Sequence, residues 1–158
     1  MRKRLLSAIV CFTTIALLVG CGNSAKEEQK KKADTFFKIA DEINSGEYEK
    51  AFKDLESTYG NVDYSSEPDG DNKMIQYRLY YDKQQMYDKE MDVLLDYLQA
   101  NDFKKILESK EDSVKKVDVN TAIHCADDIL EKVSKAKKEK AIDIIGKENL
   151  DTSKEEKN

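Results

Sequence analysis

A helical spacing of apolar side chains over residues 73–100 constrains the fold more than any other feature of this sequence. In KMIQYRLYYDKQQMYDKEMDVLLDYLQA, side chains that are aromatic or aliphatic, with one glutamine among them, recur at every third or fourth position. They are Tyr77, Tyr80, Gln84, Tyr87, Met91, Leu94 and Leu98. This spacing places them on one face of an α-helix. The segment therefore predicts either one long helix or two helices in series.

Four further stretches have the same periodicity and also predict helices. They are residues 33–45, 46–60, 101–117 and 120–146. The side chains expected on the inner face of the second stretch are Tyr48, Ala51, Phe52 and Leu55. Little of the chain alternates as a half-buried strand does. The predicted fold class is therefore all-α, a small bundle of about five helices built from helical hairpins.

Several residues mark where these helices begin and end. Gly46 lies at the break between the first two stretches, where a left-handed backbone is easy for glycine. Asn101 or Asp102 is placed to cap the next helix, and Gly146 is placed to stop the last one. Residues 61–72, NVDYSSEPDGDN, collect turn formers without periodicity and predict a loop.

Charge and cysteine content exclude some classes of protein. The formal net charge is −5, so phosphate backbones are not attracted and nucleic acid is disfavoured as a partner. The three cysteines are Cys11, Cys21 and Cys125. If the first leaves with a signal segment and the second carries lipid, the mature domain holds one thiol and no intramolecular disulfide. A packed core must then provide the stability.

The N-terminus has the plan of a secretory signal. Arg2, Lys3 and Arg4 precede an apolar run of 16 residues from Leu5 to Gly20. That run is short for a permanent membrane span, which needs about 20 apolar residues. The following sequence Leu18-Val19-Gly20-Cys21 resembles the lipobox of bacterial lipoproteins. The resemblance implies that the Cys21 thiol receives a diacylglyceryl group and that the chain is cut before it. We expect acyl chains to hold the protein on the outer face of the cell membrane.

The lipoprotein plan predicts four segments. Residues 1–20 are the signal peptide that is removed, and residues 21–32 are the lipidated cysteine with a polar tether whose later part is compatible with a helix. Residues 33–146 are the helical domain, and residues 147–158 are a disordered tail.

Two short resemblances concern the helical domain. Residues 36–52 and 91–107 echo each other as helix, polar break and helix. The segment GEYEKAF resembles the turn and the start of the second helix of tetratricopeptide repeats, through Gly46, Tyr48 and Ala51. Residues 36–55 also look like the opening helices of NTF2-like lipoproteins, which implies a curved sheet and a small ligand.

Catalytic and metal motifs are not evident. His124 and Cys125 are neighbours in a helix and point in different directions, so they do not form a nucleophile and base pair. His124 shares a face with Asp127 and Asp128, which an exposed helix face explains as well as a metal does. The cluster of Asp69, Asp71 and Asn72 lacks the closing glutamate of a calcium loop. We therefore expect no enzyme activity, no cofactor and no metal.

The tyrosine cluster permits two interpretations. Four of the eight tyrosines lie within eleven residues, namely Tyr77, Tyr80, Tyr81 and Tyr87. They form either the core face of the long helix or a surface that binds a partner. Because Tyr80 and Tyr81 are adjacent, at least one of them should reach the rim of the domain.

Together these features predict a membrane-anchored extracytoplasmic lipoprotein that acts as a non-catalytic protein or peptide interaction module of the cell envelope. The expected partners are the membrane, through lipid on Cys21, and an envelope protein or peptide. The alternatives are a bacteriocin-immunity or phage or plasmid exclusion lipoprotein, and an NTF2-like small-ligand-binding lipoprotein.

Overall fold

The structure, a computed structural model, describes residues 23–110 and 113–150. The predicted signal segment, Cys21 and residues 151–158 of the predicted tail lie outside these described residues. The predictions made for them stay predictions.

Eight α-helices account for most of the described residues, and none of these residues forms a strand. The helices are α1 (Asn23–Ser45), α2 (Tyr48–Tyr59), α3 (Asp69–Lys83), α4 (Tyr87–Ala100), α5 (Phe103–Glu108), α6 (Val114–Ile129), α7 (Lys135–Ile145) and α8 (Lys147–Leu150). The all-α prediction is confirmed, and the expected number of about five helices is too low. The NTF2-like alternative is wrong for the described chain because that fold requires a curved sheet.

The described residues divide into two units, with the boundary between Thr35 and Phe36 inside α1. In the first unit the described part is the start of α1, a charged helical segment in which Lys31 and Glu27 form an ion pair of 3.4 Å. Pairs four residues apart on an exposed helix contribute only about 0.3–0.5 kcal/mol. Residues 23–32 of the predicted tether are helical, because α1 begins at Asn23.

The core of the second unit is built around α4, which packs against α3, α5, α6 and α7. Its fully buried side chains include Met91, Leu94, Leu95 and Leu98. These positions lie three or four residues apart or side by side, so α4 buries more than one stripe. A helix that is apolar over so wide an arc must be central.

Gly46 makes the turn between α1 and α2 possible. Its φ is +82°, a left-handed conformation that glycine adopts without steric cost. The amide of Gly46 donates to the carbonyl of Ile43 at 3.2 Å, and the amide of Glu47 donates to that of Glu42 at 2.9 Å. This is the Schellman pattern of a helix end. The predicted break at Gly46 is confirmed, as is the predicted stop at Gly146, where φ is +91°.

The segment 73–100 forms two helices in series, one of the two alternatives that its periodicity allows. Gln85, with φ +57°, ends α3 in the same way that Gly46 ends α1. Its amide donates to the carbonyl of Asp82 at 3.0 Å, and the amide of Met86 donates to that of Tyr81 at 2.9 Å. Because Gln85 is not a glycine, the sequence does not predict that a helix ends here.

The C-terminal helices are divided differently from the prediction. The expected helices over 101–117 and 120–146 are replaced by α5, α6 and α7. Ser113 and Ser134 set the new boundaries, since their side chains accept hydrogen bonds from the amides of Lys116 at 3.2 Å and Lys137 at 3.4 Å. Asp102 occupies the residue before α5 but makes no capping hydrogen bond, so that predicted cap is wrong.

Residues 147–150 also depart from the prediction of a disordered tail. They form α8, which packs against α6 and α7, and the side chain of Leu150 is buried. Burial of a leucine side chain contributes about 1.5–3 kcal/mol towards ordering this turn.

Replacing Ser134 by alanine should lower the free energy of unfolding by about 1 kcal/mol because the first turn of α7 loses its side-chain cap. Urea denaturation of the two proteins measures the difference. Ser57→Ala is the matched control, since the exposed Ser57 hydroxyl donates only to a carbonyl inside α2, that of Asp54 at 3.0 Å. An equal loss in both variants would contradict the capping role.

The predicted loop over 61–72 extends only to residue 68, because α3 begins at Asp69. The loop is tied down on both sides. Lys73 Nζ donates to the carbonyls of Gly60 at 3.2 Å and Val62 at 2.7 Å, and Asn101 Nδ2 donates to that of Tyr64 at 3.0 Å. These hydrogen bonds hold the loop in place close to the start of α3.

Candidate interaction surface

Aromatic rings from α2 and α3 meet on one side of the domain. The Tyr80 ring lies 6.1 Å from that of Tyr48, 5.5 Å from that of Phe52 and 5.3 Å from that of Tyr81, measured between centroids. These spacings are within the range in which aromatic pairs attract each other. We call Tyr48, Phe52, Tyr80 and Tyr81 the aromatic surface.

The members of the aromatic surface differ in exposure. Phe52 is 39% exposed, Tyr48 and Tyr81 are partly buried, and Tyr80 is only 9% exposed. Phe52 was expected on the inner face of α2, so that assignment is wrong. Ala51 and Leu55 carry the inner face, and the Phe52 ring rests against Tyr80 at its edge.

The four tyrosines that cluster in the sequence have different environments in the structure. Tyr77 is 6% exposed, and its hydroxyl donates to a carboxylate oxygen of Glu56. Burial and this bond to the carboxylate both raise the pKa of Tyr77. Tyr77 and Tyr80 thus belong to the core, whereas Tyr81 lies at the rim, as expected for one of the adjacent pair.

Tyr87 begins α4, whereas the other three tyrosines belong to α3. Its ring is covered by Lys132, whose Nζ is 4.9 Å from the ring centroid. Tyr77 and Tyr81, in contrast, lie 6.3 Å apart between centroids. Because Tyr77 and Tyr80 are buried, the four tyrosines do not form one exposed surface.

Lysine ammonium groups lie close to the rings of Tyr64, Tyr77 and Tyr81. Lys73 Nζ is 4.7 Å from the Tyr64 centroid and 6.0 Å from that of Tyr77, and Lys89 Nζ is 5.6 Å from that of Tyr81. Each such contact contributes about 0.5–1 kcal/mol at an exposed position. The exposed Lys89 thus supplies a cation at the edge of the aromatic surface, and the exposed Met86 extends its apolar area.

A second notable group lies where α3, α4 and α6 meet. Glu90 is 1% exposed, and its Oε1 is 3.6 Å from Nη1 of Arg78. Its other oxygen, Oε2, has no hydrogen-bond partner. Burial raises the pKa of Glu90 to about 7, and the nearby Asp82 raises it as well. The apolar periodicity did not single out Glu90, although this residue lies on the apolar face, three residues after Tyr87 and four before Leu94.

The acidic cluster at the start of α3 is part of a structural network. Asp71 Oδ1 accepts hydrogen bonds from the Tyr97 hydroxyl and from Lys115 Nζ, both at 2.7 Å. Burial and the negative charge of Asp71 raise the pKa of Asp118 to about 6. The carboxylate of Asp71 therefore joins α3, α4 and α6.

His124 and Cys125 do not form a pair. His124 is exposed, with Nε2 4.0 Å from Asp128 Oδ2, whereas Cys125 is partly buried against the core. Burial raises the pKa of the Cys125 thiol, which disfavours the reactive thiolate. Within residues 23–110 and 113–150, no group of three or more His, Cys, Asp or Glu side chains is arranged to hold a metal ion.

No helix in the described part of the chain is long and apolar enough to cross a membrane. No family model matches the chain, and neither the curated proteins nor the solved structures include a significant match to it.

Proposed function

We propose that this chain is a lipoprotein held on the extracytoplasmic face of the cell membrane by lipid on Cys21, and that its helical domain is a non-catalytic module that binds an envelope protein or peptide. The lipobox Leu18-Val19-Gly20-Cys21 supports the anchor. The aromatic surface is the observation that supports the binding role.

Aromatic side chains that stay partly exposed on a rigid support are suited to protein recognition. Phe52 and Tyr81 lie on two helices fixed by the buried Tyr80 and Tyr77, so little conformational entropy remains to be lost on binding. Tyrosine and phenylalanine also contribute a large contact area per residue. Lys89 beside Tyr81 offers a charged contact at the rim.

Several groups that could perform chemistry have structural partners, which supports a non-catalytic role. The hydroxyls of Tyr77 and Tyr97 donate to Glu56 and Asp71, and Lys115 binds the same carboxylate of Asp71.

In-cell crosslinking tests the proposal. The full-length chain is crosslinked in living cells and purified from membranes, and the proteins that accompany it are identified. We expect one partner near stoichiometric amounts for the native chain and at least a tenfold lower yield for the double variant Phe52→Ala, Tyr81→Ala. Loss of two central aromatic contacts commonly costs more than 2 kcal/mol of binding free energy.

Val114→Ala, Val117→Ala is the matched control, because these side chains are 58% and 60% exposed at the start of α6, a different helix. Equal loss of the partner in both double variants would contradict the assignment to the aromatic surface. Recovery of a partner only when cells are challenged with a bacteriocin or phage would favour the immunity or exclusion role instead.

A further inference from the structure

Glu90 is a buried acid whose hydrogen-bonding capacity is not met. Its carboxylate belongs to the first turn of α4, with one oxygen near Arg78 and the other without a partner. An ionised carboxylate in such a site is costly, whereas a neutral carboxyl is tolerated much better. The packing around Glu90 therefore depends on its proton.

Charged and titratable groups reach Glu90 from each neighbouring element. Arg78 and Asp82 approach from α3, Cys125 approaches from α6, and Lys132 approaches from the turn between α6 and α7. Asp128 of α6 acts on Cys125 at the same junction. On α7, Lys137 pairs with Asp92 of α4 rather than with Glu90, at 2.5 Å.

We propose that Glu90 is a proton-operated switch at the junction of α3, α4 and α6: the neutral carboxyl allows the first turns of α4 to pack firmly, and the ionised carboxylate loosens them. The sign follows from burial. The pKa of Glu90 is raised to about 7 in the folded chain from an ordinary value of 4.5. The stabilisation is complete below pH 4.5 and is lost as the pH rises through 7.

The loosened turns adjoin the aromatic surface, and their effect on binding rests on the proposed function. The amide of Glu90 donates to the carbonyl of Met86 at 3.1 Å, and the amide of Met86 donates to that of Tyr81 at 2.9 Å. Opening the start of α4 therefore releases the backbone link to Tyr81. Partner binding should weaken above pH 7, when this link is less persistent.

Amide hydrogen exchange of the full-length chain in detergent micelles tests the switch without any partner. For the native chain, we expect the protection factors of the amides of residues 90–94, corrected for intrinsic exchange rates, to fall at least tenfold from pH 5 to pH 8. One pKa unit corresponds to a factor of ten in the opening equilibrium. In Glu90→Gln, which is neutral at every pH, the fall at residues 90–94 should be several-fold smaller, and what remains is the contribution of other acids such as Asp118, whose pKa is raised to about 6.

Two further variants make the test specific. Glu42→Gln changes another buried acid, one that pairs with Lys50 at 3.1 Å, and should retain the pH dependence of the native chain. Asp82→Asn removes a negative charge close to Glu90 and should move the transition to lower pH. A fall at residues 90–94 that is as large in Glu90→Gln as in the native chain, or a transition that Asp82→Asn leaves unmoved, would overturn the switch. Failure of the crosslinking experiment would not affect this result.

Discussion

Replacing Gly70 by alanine is expected to lower the free energy of unfolding by about 3 kcal/mol, the upper part of the range for overpacking. A Cβ at this buried position would lie 2.4 Å from the carbonyl oxygen of Tyr64 and 2.8 Å from that of Asp63. These are backbone atoms, which cannot turn aside as a flexible side chain can. The loop or the start of α3 would have to move.

Such a movement would disturb other contacts. The same carbonyl of Tyr64 accepts a hydrogen bond from Asn101 Nδ2 at 3.0 Å, and the Tyr64 ring packs edge-on against Tyr97 with 6.2 Å between centroids. Tyr97 in turn donates to Asp71 at 2.7 Å. A shift of about 1 Å at Gly70 would thus weaken the junction of the loop with α4 and α6.

Urea denaturation followed by circular dichroism measures the effect. Gly46→Ala is the matched control, because a Cβ at Gly46 meets nothing within 4 Å but must adopt φ +82°. The left-handed backbone alone should cost about 1–2 kcal/mol. A smaller loss for Gly70→Ala than for Gly46→Ala would show that the loop yields easily and that close crossing is not a constraint on this fold.

Helical periodicity predicted much of the fold but could not place all helix ends. Val133 continues the stripe of Ile123, Ala126 and Leu130 at helical spacing, so the turn between α6 and α7 is not visible in the apolar pattern. The signal was the serine at position 134, which caps α7 and could have been recognised as a helix start.

The aromatic surface was only partly predictable for a related reason. Sequence periodicity places Tyr77, Tyr80 and Phe52 on helix faces, but it does not say which face meets another helix and which meets water. The pairing of α2 with α3 decides this, because it buries Tyr80 between Tyr48 and Phe52 and leaves the Phe52 ring at the edge. Which face of a helix is buried depends on the helices that pack against it, and the sequence of one helix does not show these contacts.

Membrane anchoring is the second large effect that we expect. Cys21→Ala removes the thiol that we propose accepts the diacylglyceryl group, so fatty-acid labelling of the protein should be abolished. Each buried methylene contributes about 0.8 kcal/mol to membrane binding, and a single acyl chain gives only reversible attachment. The acyl chains on Cys21 would therefore be the main source of stable attachment for the mature chain.

Metabolic labelling with a fatty-acid analogue and intact-mass measurement check this prediction. The native chain should be labelled and should lack residues 1–20, whereas Cys21→Ala should be unlabelled and should retain them. Cys125→Ala is the control, because this thiol lies in the helical domain and should not affect labelling. If Cys21→Ala is still labelled, the acyl group is attached at another residue and the lipobox assignment is wrong. If the native chain retains residues 1–20, the apolar run from Leu5 to Gly20 acts as an uncleaved anchor instead. The two outcomes differ in how the chain is placed in the membrane. An uncleaved anchor would leave three basic residues, Arg2, Lys3 and Arg4, on the inner side of the membrane.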